Sequence, residues 1–227
     1  MEMEITLPEE MPLMTLPNVA FFPQALMPLH IFEPRYRHML RDVLVSNRLL
    51  AVAGLDPHPL NQPGRIEPPH RVASVGIVRA CQKNDDGTSN LLLQGLARIE
   101  IVAIVGDEPY RRIHGRALAS QPGASDDDNQ FLRQEISRLL NLKLKLAAAG
   151  AGEMAAFLKT IDDPETFVDI AAFSLCDSPA LKQKLLEELD VHRRLRLFSR
   201  QLRSEVGELK LRRRLQGRLA DDRIADN

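Results

Sequence analysis

Apolar positions in the first half of this chain fall in short runs cut by proline and glycine, whereas in the second half they recur every three or four residues. The first pattern reads as strand and the second as helix, because side chains alternate faces in a strand and return to one face every 3.6 residues in a helix. Glu4–Leu7, Leu13–Leu16 and Val19–Phe22 are therefore expected as short extended pieces, the last bent or ended by Pro23. Pro8, Pro12, Pro17, Pro23 and Pro28 cannot donate to a ladder, which places them at edges, turns and bulges. Tyr36, Met39, Leu40, Val43 and Leu44 share one helical face over Arg35–Val45, with Pro34 near the first turn. Leu49–Gly54 is a continuous apolar strand, and Asp56–Pro69, with five prolines, a long surface loop. Arg71–Cys81 and Asn90–Val105 flank KNDDGTS, whose Asp86-Gly87 pair predicts a hairpin turn. Gly95 predicts a bulge or corner, and Tyr110–Leu118 supplies a last strand.

The segment ASQPGASDDDN, Ala119–Asn129, reads as a linker ending in a helix cap at Asp128 or Asn129. Helices are then expected over Phe131–Ala149, stopped by Gly150 and Gly152, and over Glu153–Lys159 and Glu165–Leu175. Ser178-Pro179 opens a helix over Ala180–Leu189, and Asp190 caps the longest one, Val191 to about Ala220. Leu195, Phe198, Leu202, Val206 and Leu209 form its apolar face. The pattern predicts an α+β fold, an irregular pseudo-β-barrel over 1–120 followed by a helical bundle over 126–220 with a long last helix. Without a βαβ rhythm, a nucleotide-binding parallel sheet is not expected.

Charge narrows the partners. Thirty basic side chains against thirty-one acidic ones argue against a general polyanion binder, and residues 1–120 hold twelve against thirteen. The exception lies between Arg193 and Arg218, with ten basic residues and two acidic ones. Arg193, Arg196, Arg200 and Arg203 are the candidate partner-contacting face there, a solvated helix surface being the plainer alternative. The acidic start MEMEITLPEE lacks a basic region before an apolar run, and no apolar stretch reaches the roughly 18 residues that span a bilayer. With Cys81 and Cys176 read as reduced thiols, a cytoplasmic protein without membrane contact is expected.

Catalytic patterns are missing. The sequence holds no GxxxxGK[ST], GxSxG, HExxH or CxxC, and its six histidines form no metal-ligand spacing, so no catalytic residue, metal or cofactor is expected. Binding fits better. Apolar residues beside prolines that interrupt strand pairing suit capture of unfolded or client polypeptides, with self-association a further possibility. The candidate set is Phe21, Phe22, Leu26, Met27, Ile31, Phe32, Glu33 and Arg35; the alternative for each apolar member is simple core filling. Low aromatic content, with no Trp, disfavours nucleic acid.

These residues also carry a family pattern. MPLMTLPNVAFFPQALMPLHIFEPRYRHMLRDVL, Met11 to Leu44, resembles the opening of the Lon protease N-terminal (substrate-binding) domain family. Leu49–Ala53, Val75–Val78, Asp86-Gly87, the LQGLAR segment Leu93–Arg98 and the helical Phe167–Leu202 are similar to later parts of the same region. The sequence departs from the family at Asn18, Ala20 and Gln24, where members more often carry Arg-Asp before the valine and glycine after the proline. The resemblance implies a PUA-like pseudo-barrel with a helical bundle, and a substrate-recognition role without ATPase or Ser-Lys peptidase chemistry. By analogy with other PUA-like barrels, a nucleic-acid-binding module is the alternative.

Overall fold

The computed structural model describes residues 7–57, 68–147 and 152–216. The expected strand over Glu4–Leu7, most of the proline-rich loop, Gly150 and the end of the last helix lie outside those residues, apart from Leu7 itself. Strands β1 (Met11–Leu16) and β2 (Leu26–Ile31) precede helix α1 (Pro34–Val45). Strands β3 (Leu49–Gly54), β4 (Val72–Lys83), β5 (Ser89–Gly106) and β6 (Arg112–Leu118) follow. Helices α2 (Asp126–Ala147), α3 (Gly152–Leu158), α4 (Pro164–Leu175), α5 (Pro179–Glu187) and α6 (Val191–Gln216) complete the chain.

The fold is α+β, and its strands form a ring that is not a true barrel. The sheet runs β2-β5-β4-β3-β1-β6, with a further pairing of β5 to β6. Closure is possible because β5 is long. Its first half pairs with β2, its second half with β6, and β4 runs beside both. The ring is weakest between β1 and β6, where only Met11↔Ile113 and Pro12↔Arg112 are in register. Strands β1 and β3 are parallel, and every other pairing is antiparallel. Met11, Leu13, Ala51, Ala53, Ala73, Val75, Ile99 and Ile113 fill the interior.

One expected strand is replaced by its neighbour. Val19–Phe22 has no ladder, and the strand is Leu26–Ile31 instead. The backbone here is held by contacts from β4 and β5 that take the place of a ladder. Ser74 Oγ donates to Phe21 O at 2.5 Å, Gln24 N to Gly95 O at 2.9 Å, and Gly95 N to Ala25 O at 2.9 Å. Gly95 sits at the predicted corner, where pairing jumps from Val75↔Ala97 to Gly76↔Gly95. A Cβ at Gly95 would lie 2.0 Å from Phe22 O, so only glycine lets the turn approach β5 this closely. Gln24 adopts φ +61°, in the left-handed region that favours glycine.

Capping explains the helix starts. Ser178 Oγ accepts from Leu181 N at 3.3 Å with Pro179 as first helical residue, and Asp190 Oδ1 accepts from Arg193 N at 2.9 Å. The start of α2 differs from expectation. Ser125, not Asp128 or Asn129, is the cap: its Oγ accepts from Asp128 N at 3.2 Å and donates to Asp128 Oδ2 at 2.6 Å. Cap and third helical residue thus bond reciprocally, the return bond running from the serine hydroxyl to the aspartate carboxylate.

Two compact units emerge, one of Met1–Gln121 with Asp169–Leu189 and the other of Pro122–Val168 with Asp190–Asn227. Asp169–Leu189 thus groups with the strands. In the second unit Ile136 and Leu140 of α2 are buried, as are Leu195, Phe198, Leu202 and Val206 of α6. Within the first unit the anchor is Arg98, 2% exposed. Its Nη1 and Nη2 donate to Asp169 Oδ2 and Oδ1 at 2.8 and 2.6 Å, and its Nε donates to Leu186 O at 3.0 Å.

Two opposite stability changes are expected. Asp169→Asn removes the charge facing a buried guanidinium and should cost about 3–5 kcal/mol in urea unfolding. Gln24→Gly relieves the left-handed backbone and should stabilise by roughly 1 kcal/mol in the same measurement.

Candidate functional site

The alternation of β2 divides the predicted set. Phe21, Phe22, Met27 and Ile31 point into the core and are at most 6% exposed. Two precede the strand in a buried turn, and two occupy its inward positions, the core-filling alternative for those four side chains. Leu26 and Phe32, in contrast, are 51% and 61% exposed. Glu33 and Arg35 are half-buried and pair with each other, Arg35 Nη2 lying 2.9 Å from Glu33 Oε2. The Arg35 guanidinium also lies 4.6 Å over the Tyr36 ring, whose hydroxyl donates to Thr15 O at 3.1 Å. Both charges thus steady the entry to α1 beside Phe32.

Pro28 and His30 were not in the predicted set, yet they share the outward row with Leu26 and Phe32. The signal was present as a period of two: Leu26, Pro28, His30 and Phe32 alternate with Met27, Leu29 and Ile31. Pairing extends the row sideways. Pro28 lies opposite Leu92, which in turn lies opposite Ala80, giving a partly exposed apolar line across three strands. Polar groups border it. The His30 ring stacks on Phe32 at 6.1 Å between centroids, and His30 Nδ1 is 2.8 Å from Asn90 Oδ1. Arg79 Nε donates to Gln94 Oε1 at 2.6 Å. Strand β2 pairs with β5 alone, so its second edge faces no strand among the described residues.

The hairpin tip contributes a fixed negative charge nearby. Asp86 accepts from both the hydroxyl and the amide of Thr88, at 2.7 and 2.9 Å. Those bonds lower its pKa, and the neighbouring positive charges of His30 and Arg37 add to the effect.

The second predicted surface belongs to the other unit. Arg193, Arg196, Arg200 and Arg203 are all exposed on α6, at spacings that keep them on adjoining turns. Arg193 pairs with Asp190 at 3.5 Å, and Arg203 pairs with Glu135. Arg194, outside the predicted row, is fully buried and pairs with Glu165 at 3.3 Å. Among the described residues no cluster of three or more His, Cys, Asp or Glu could hold a metal ion, and no helix is long and apolar enough to cross a membrane.

Residues 10–204 match the family model for the ATP-dependent protease La (LON) substrate-binding domain. The chain belongs to this family. The Lon protease of Desulfosudis oleivorans is 28% identical over 221 residues, a match covering 95% of this chain and 26% of that protein. The Lon protease of Escherichia coli is 24% identical over 210 residues, covering 92% of this chain and 26% of that protein. The chain therefore spans about a quarter of the length of the curated relatives it matches. The N-terminal domain of Mycobacterium avium complex Lon protease shares the fold, with a TM-score of 0.66 at 18% identity over 88% of this chain and 98% of that one. A Lon N-terminal domain protein from Xanthomonas campestris superposes with a TM-score of 0.58 at 20% identity, over 82% and 95% of the two chains. The sheet and its edge strand thus sit inside a Lon-type substrate-binding module.

Thermal and urea unfolding should separate the two halves of the predicted set. Phe21→Ala is expected to cost about 3–5 kcal/mol as a buried aromatic truncation, and Phe32→Ala less than about 0.5 kcal/mol. Asp86 should add a pH signature. Its folded pKa is depressed, so its contribution is present above the unfolded value and lost as pH falls through the folded one. Amide exchange at Thr88 should accelerate in acid below the usual aspartate range, and Asp86→Ala should abolish that step.

Proposed function

We propose that this chain is a non-catalytic module that holds unfolded client polypeptides through the outward face and open edge of β2. One observation carries the reading: an edge strand whose outward row, Leu26, Pro28, His30 and Phe32, is exposed and largely apolar. An edge of this kind offers main-chain hydrogen bonds to an extended segment, and its apolar row offers burial for alternate side chains. Neither demand is sequence-specific, which suits a receptor for many clients. Of the candidate residues, Leu26 and Phe32 make client contact, while Glu33 and Arg35 flank it. Phe21, Phe22, Met27 and Ile31 support the strand from beneath. The family match to a protease's substrate-binding domain supports the reading.

On this reading the exposed Arg193, Arg196, Arg200 and Arg203 face is a second contact surface, toward an acidic partner or another copy of the chain, and the protein works in the cytoplasm. Nucleic acid is the less favoured occupant of the β2 face, since the row carries no arginine or lysine and its two rings, His30 and Phe32, stack on each other.

The test uses a reduced, alkylated and therefore permanently unfolded protein carrying a fluorescent label. Leu26→Asp/Phe32→Asp should weaken its binding at least about tenfold, in line with loss of central apolar anchors. The melting curve should stay unchanged, because both side chains are exposed. Unchanged affinity in the double variant would sink the β2 reading.

A further inference from the structure

A second concavity of the first unit shares no residue with the β2 face. It is a cleft of about 770 Å³, within the range of preformed ligand sites. Its walls include Pro17, Pro57, Pro68 and Pro179, together with Val19 and Leu55. The sequence builds it from four segments: the turn after β1, the residues after β3, those leading into β4, and one face of α5. Asn18 takes φ +57° in the first, a conformation asparagine tolerates better than most residues. Backbone bonds hold the walls. Leu55 N donates to Leu16 O at 3.0 Å, Asp56 N to Pro68 O at 2.8 Å, and His70 N to Gly54 O at 2.9 Å. On the α5 side, Gln183 Nε2 donates to Val72 O at 3.1 Å and to Glu187 Oε1 at 2.8 Å. Gln183 Oε1 is buried with no hydrogen-bond partner among the described residues, leaving an unpaired acceptor in a residue of the wall.

The chemistry of this cleft selects an occupant. Proline rings present C–H groups polarised by the ring nitrogen, and these pack well against the electron-rich face of an aromatic ring. The lining also includes two carboxylates, Asp56 and Glu187, against one ammonium, Lys184. That balance favours a positive charge beside the apolar group over a negative one. We infer that the cleft takes an aromatic side chain of an extended polypeptide that carries a lysine or arginine next to it. The inference rests on the reading that the module holds unfolded polypeptide, and it adds a pocket with side-chain preference to a strand edge that has little.

The test is fluorescence polarisation of a labelled short peptide with one phenylalanine between two lysines. Ala180 is exposed in the first turn of α5 and lines the cleft, so Ala180→Trp should fill the space without disturbing the core. It should weaken the peptide at least about tenfold, the scale of losing a buried aromatic anchor. Glu187→Lys should shift preference toward the same peptide flanked by glutamates, a readout that simple filling would not produce. Leu26→Asp/Phe32→Asp should leave this short peptide bound. Full affinity in Ala180→Trp overturns the cleft assignment whatever the β2 variant does. Loss of the short peptide in the β2 variant alone would overturn the cleft while supporting the strand edge. Loss of the large unfolded protein in the β2 variant, with the short peptide lost only in Ala180→Trp, supports both readings separately.

Discussion

A guanidinium sealed from water organises the first unit. Arg98 gives two N–H groups to Asp169 and a third to the carbonyl of Leu186, with the Phe22 ring 5.8 Å from its carbon. Burying such a pair gives little net stability, because desolvating both charges offsets most of their attraction. Its effect is on what else is allowed. Any arrangement that separates Asp169 from Arg98 strands a charge in an apolar interior, so Asp169–Leu189 must return to β5 although about seventy positions separate the partners. Arg98 also lies three residues past Gly95, the one position where β5 admits the backbone of Phe22. The ion pair and the close approach together fix the N-terminal turn, the bend in β5 and the segment Asp169–Leu189 relative to one another.

Much of the local structure was legible because local chemistry decides it. Proline at the first helical position with serine before it gave α5, the aspartate cap gave α6, and Asp86-Gly87 gave the β4–β5 hairpin. The errors arose where two local signals competed. Val19–Phe22 and Leu26–Ile31 are both apolar and proline-flanked, and choosing the strand required knowing that Ser74 and Gly95 would hold the first segment's backbone from outside it. At α2, Ser125 and Asp128 act as a reciprocal pair, so the aspartate that looked like a cap is the cap's partner. The Arg98–Asp169 pair could not be read at all, since no spacing rule links positions on a strand and a helix so far apart.

The candidate site was half legible for a related reason. Grouping Leu26, Met27, Ile31 and Phe32 in one candidate set passes over the alternation that sends Met27 and Ile31 inward while Leu26 and Phe32 stay out. Applied to this strand, a period of two would have kept Leu26 and Phe32, dropped Met27 and Ile31, and added Pro28 and His30. It would not have settled Phe21 and Phe22, whose burial follows from the irregular turn. Gln24, a residue with a Cβ, falls in that turn. The backbone there still takes the left-handed form, so the geometry is imposed by the contacts to Gly95 and the side chain accommodates it.

An exposed apolar edge is a hazard that most sheets remove with charge, a bulge or a cover. β2 keeps its apolar row but is short, six residues, and carries a proline in its interior. A proline has no N–H, which takes one donor from a strand with few, and a short strand limits how much backbone a visitor can pair. Such an edge is poorly suited to continuous sheet growth and better suited to brief capture of short extended segments. Weak pairing combined with apolar burial is the balance a receptor needs when its clients share exposed hydrophobic residues and little else. On the proposed function the outward row and the interior proline are read together: one draws unfolded chains, and the other keeps them from staying.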